Sequence, residues 1–100
     1  MKYKEMYHTQ DLENITEEIV FEQIHTIIET GQIDVPNDEG CIQDIAAIAL
    51  NRLPSKYSVS FIDKVNPRGV RLDELLELTK RAHEEVLKAI AIVQKRPHHR

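Results

Sequence analysis

Four residues in the middle of the chain have the chemistry to hold a small anion: Arg52, Lys56, Tyr57 and Arg68. A guanidinium can grip a phosphate through two parallel hydrogen bonds, and a tyrosine ring can stack on a nucleobase. Charge concentrates the interest there. Residues 1–51 hold two lysines and eleven acids, for −9, while residues 52–71 hold five basic residues and one acid, for +4. Residues 72–100 come to +1 and the whole chain to −4. So acidic a chain is a poor partner for duplex DNA, where phosphate contacts dominate affinity. A smaller anion is the better candidate, against the plainer reading of 52–71 as a solvated run of surface charge. Arg52 and Arg68 are expected to be exposed, so that replacing either should leave the fold intact.

Other chemistry is harder to support. Cys41, the single cysteine, opens an apolar stretch and reads as a small core residue more readily than as a metal ligand or a reactive thiol. The five histidines (8, 25, 83, 98 and 99) show no metal-binding spacing on one helix face, so no metal and no cofactor are expected. Asp44 interrupts the apolar stretch and needs a partner. Asp44 and Asn51 lie seven residues apart, on nearly one helix face, and can support the basic segment that begins at Arg52. No nucleophile–base pair, glycine-rich phosphate loop or paired carboxylates suggest catalysis. A binding protein is expected.

The elements that must position these residues are helices. Asn14 with Glu17 three residues later has capping-box spacing, and Ile15, Ile19, Val20, Ile24, Ile27 and Ile28 make the stripe of a helix that Gly31 closes. A loop over 32–40 follows. Eight of the ten residues from Cys41 to Leu50 are apolar, so a helix over Cys41–Leu53 is expected to be buried nearly all round by other helices or by a partner chain, with Asp38 or Glu39 favourable at its start. Pro54 stops it. Tyr57, Val59 and Phe61 alternate with serines, a strand-like period over Tyr57–Ile62 with no evident partner in the chain, and Asn66, Pro67 and Gly69 bracket a turn. The last helix spans about Leu72–Lys95. Its stripe is Leu72, Leu75, Thr79, Ala82, Val86, Ala89 and Val93, widened by Leu76, Leu87 and Ile90. At about 1.5 Å per residue it reaches roughly 35 Å, more than the other two helices can cover.

The expected fold is therefore an all-α, small three-helix domain with a buried central helix, a long C-terminal helix and one short extended segment. Its apolar excess calls for a homodimer. Residues 1–10 read as an arm, 11–96 as the helical domain and 97–100 as a polar tail ended by Pro97. No run approaches a membrane span and nothing reads as a signal peptide, so a soluble cytoplasmic protein is expected.

The stretch Cys41–Tyr57, CIQDIAAIALNRLPSKY, resembles the signature of the late competence ComFB family, carried by Cys41, Asp44, Ile45, Ala47, Ile48, Ala49, Leu50, Asn51, Leu53 and Tyr57. Pro54 falls as in the L-P-x-[RK]-Y form of that signature. Asn14, Glu17 and Val20 match an N-x-x-E-x-x-V element upstream, and the ending over 86–100 is similar to that of many members. The resemblance implies a non-catalytic regulatory protein linked to cyclic dinucleotide binding. A two-fold dimer would offer two copies of the basic segment to a two-fold ligand. The alternative is a dimeric protein-interaction module, associated with competence or motility, that takes no small molecule. Several members carry two further cysteines before the one matching Cys41. Pro36 and Asp38 stand there in this chain, so the resemblance implies no metal cluster.

Overall fold

Asn14 begins the first helix in the manner its side chain dictates. With extended backbone angles it accepts from the N–H groups of Thr16 and Glu17, which lack partners inside the helix. Helix α1 runs Ile15–Thr30 and ends where Gly31 adopts φ 67°, a left-handed conformation that costs glycine little. Asp38 caps α2, Glu39–Leu50, by accepting from the Cys41 N–H at 2.8 Å. Helix α3 spans Leu72–Lys95. The computed structural model describes residues 3–7, 12–36, 38–58 and 72–95, with Tyr3–Met6 forming a short 3-10 turn. The turn around Asn66–Gly69 and the tail from Pro97 lie outside the described residues.

The three helices pack pairwise around one apolar core. Val20, Ile24 and Ile27 come from α1, Cys41, Ile45, Ala46 and Ala49 from α2, and Ala82, Val86, Ala89, Ile90 and Val93 from α3. Small residues on α2 and α3 let these two backbones approach closely. The all-α architecture is as the patterning implies, with three differences in detail.

First, α2 is not buried all round. Gln43 and Ala47 are exposed, and Ile42, Asp44, Ile48 and Leu50 are half-buried. Two helical neighbours can cover one face of a helix and its flanks, and the far side of α2 has none. Second, the apolar face of α3 is rotated at its start. Leu78 is buried, whereas Leu72 and Leu76 are 72% and 63% exposed. Third, Tyr57 has a partner within the chain. A two-residue strand β2, Tyr57–Ser58, pairs antiparallel with β1, Glu13–Asn14, with Asn14 opposite Tyr57. The rest of the expected strand, from Val59 to Ile62, lies outside the described residues.

Candidate functional site

The chain leaving α2 is held by the start of α1. The Ile15 N–H donates to the Lys56 carbonyl at 2.6 Å, and the Lys56 N–H donates to Asn14 Oδ1 at 3.4 Å. Below them the buried Thr16 hydroxyl donates to the Pro54 carbonyl at 2.7 Å. Asn14 thus serves three N–H groups, two in its own helix and one across the clasp. The two sequence elements singled out above, around Asn14 and around Pro54–Tyr57, meet here. Their contact fixes the direction in which Lys56 and Tyr57 point.

From this clasp, 52–56 runs along one face of α3. Lys56 Nζ pairs with Glu74 Oε2 at 3.3 Å, and an Arg52 guanidinium nitrogen lies 3.7 Å from Glu85 Oε1. Glu74 and Glu85 are eleven residues apart, so the two cations sit roughly 16 Å apart along the helix. At the Lys56 end is an open groove of about 620 Å³, within the usual range of small-molecule sites. Pro54, Leu75 and Leu78 supply its apolar lining, and two cations, Lys56 and Arg81, share it with three acids, Asp73, Glu74 and Glu77.

The structure does not bring all the candidate residues together. Lys56 lines the groove, and Arg52 stands at the far end of the same seam. Tyr57, 61% exposed, points the other way, as alternation along a strand requires. It borders a recess of about 320 Å³ among Lys4, Glu13, Glu17 and Glu18, which is acidic and unsuited to an anion. Arg68 lies outside the described residues. Asn51 is exposed at the end of α2, its N–H donating to the Ala47 carbonyl. Asp44 is half-buried on α2 and has a partner. Arg81 was hidden from a sequence reading confined to 52–71. Its spacing from Glu74 and Glu85, seven and four residues along one helix face, is the signal that would have found it.

Arg52 is more than an exposed cation. The Glu85 side chain is only 17% exposed, and its Oε1 is shut off from solvent without a hydrogen bond. Arg52 supplies the nearby charge, and Lys88 Nζ reaches Glu85 Oε2 at 3.3 Å. Arg52→Ala is therefore expected to cost about 1–2 kcal/mol, because a largely buried carboxylate loses its compensation. Arg52 itself is exposed, as expected, and a loss of this size leaves the domain folded. Urea denaturation checks it, and adding Glu85→Gln should restore part of the loss.

The acidic recess yields a pH dependence. Glu18 has its pKa raised, first by the Glu13 charge, then by a hydrogen bond with Glu13, slight desolvation and the Glu17 charge. The folded state thus binds this proton more readily than the unfolded chain. The resulting stabilisation is full below the ordinary glutamate range and is lost as pH rises through the raised pKa. Glu18→Gln should raise the melting temperature at neutral pH, with the gain over wild type disappearing in acid.

The Cys41 thiol is buried in the apolar core, and Asp38, where relatives place a cysteine, spends its carboxylate on the α2 cap. Among the described residues no three potential ligands cluster, and no helix is long and apolar enough to cross a membrane.

The family model described as late competence development protein ComFB matches residues 13–97. The chain belongs to the ComFB family. The match begins at β1 and spans the clasp, all three helices and the groove. No curated protein and no solved structure matches the chain.

Proposed function

We propose that this ComFB-family chain is a non-catalytic regulatory receptor that binds a cyclic dinucleotide at the seam between 52–56 and α3, and that it works as a homodimer. The observation that carries the reading is the seam itself, with Lys56 on the wall of an open groove that has apolar lining and Arg52 farther along α3, outside the groove. A diester phosphate seeks the cations and a base seeks the apolar surface. The Lys56–Glu74 pair is no obstacle, since half-exposed ion pairs contribute about 0–1 kcal/mol and exchange readily for a ligand phosphate. The family description, late competence development protein, supports a competence-related role. The dimer would cover the outer side of α2, where Ala47 is exposed and Ile48 half-buried; light scattering should give twice 11.6 kDa, and the single-chain mass would refute it.

One observation favours a second reading, a protein-interaction module without a small ligand. Leu72 and Leu76, one turn apart and exposed, form an apolar spot that a partner helix could cover. A thermal-shift screen against cyclic and linear nucleotides separates the two. A ligand that binds only the folded state stabilises it by about 2.7 kcal/mol at a hundredfold excess over its Kd. A shift with cyclic dinucleotides supports the receptor, and no shift with any nucleotide supports the interaction module.

A further inference from the structure

We infer that Arg81 is a ligand-binding residue of this groove, gripping a phosphate of the bound nucleotide from the α3 wall while Lys56 holds the opposite wall; this rests on the receptor reading above. Arg52 and Lys56 are each engaged with an acid of α3 in the free protein. Arg81 differs. It is exposed, it lines the groove, and among the described residues it carries no ion pair. A guanidinium in that position can meet a phosphate with two parallel hydrogen bonds without first giving up a carboxylate. Leu75 and Leu78 fall six and three residues before it, and they place apolar surface for a base beside the charge. Asp73, Glu74 and Glu77 line the same groove and repel an anion, Glu77 from one turn before Arg81, so they set a limit on affinity.

The test is titration calorimetry with cyclic di-GMP and cyclic di-AMP on wild type, Arg81→Ala, Arg81→Lys and Glu77→Gln, each with its melting temperature measured. Arg81→Ala is expected to bind at least tenfold more weakly at an unchanged melting temperature. Arg81→Lys should fall between it and wild type, and Glu77→Gln should bind more tightly than wild type. Wild-type binding that is unaltered in both Arg81 variants overturns this inference and leaves the receptor reading standing. No binding by wild type overturns both.

Discussion

Ile45→Asp is expected to unfold the chain. Ile45 is among the largest fully buried side chains and sits between α1 and α3 in the middle of the core. An aspartate there has no cation within the apolar cluster to pair with, and burying an unpaired carboxylate costs several kcal/mol. A domain of this size has about 5–15 kcal/mol of total stability, so the substitution consumes most or all of it. Leu50→Asp provides the contrast. Leu50 is only half-buried on the flank of α2, where a carboxylate can reach water, and its loss should be clearly smaller. Circular dichroism melts of both variants check the rotation of α2 as well as its burial. Equal losses would contradict the observed face.

Breaking the clasp at the start of α1 has the second-largest expected effect. Asn14→Ala removes the acceptor for three N–H groups, and loss of a helix cap alone costs about 1–2 kcal/mol. Thr16→Val keeps the shape but removes the donor to the Pro54 carbonyl at a part-buried site, for about 0.5–1.5 kcal/mol. Either should lower the melting temperature by about 4–8 °C per kcal/mol. Because both act on one junction, the double variant should lose less than the two single losses combined. Strict additivity in urea denaturation would show that the cap and the Thr16–Pro54 bond act independently.

These two variants also mark what was legible in the sequence. The limits of α1 and α3 were written in local chemistry, in a cap at Asn14, a glycine at Gly31 and apolar stripes at helical spacing. The face of α2 was not, because a helix apolar on nearly every side carries no period to orient it. The leucines at 72, 75, 76 and 78 satisfy more than one stripe, and only the folded packing selects Leu78 over Leu76 for burial. The clasp joins residues about forty positions apart through a strand pair two residues long, too short to leave a pattern. The basic character of 52–56 could be read directly, but its pairing with Glu74 and Glu85 could not. Nor could the separation of Tyr57 from Lys56, which follows from strand alternation once β1 and β2 are known to pair.

The central claim is that the seam along α3 receives a cyclic dinucleotide. Titration calorimetry of the wild-type protein with cyclic di-GMP and cyclic di-AMP, at low and at raised salt, tests it most directly. The account predicts saturable binding of at least one of the two, weakened by salt because exposed cations contact the phosphates. No heat from either ligand at either salt concentration would contradict it.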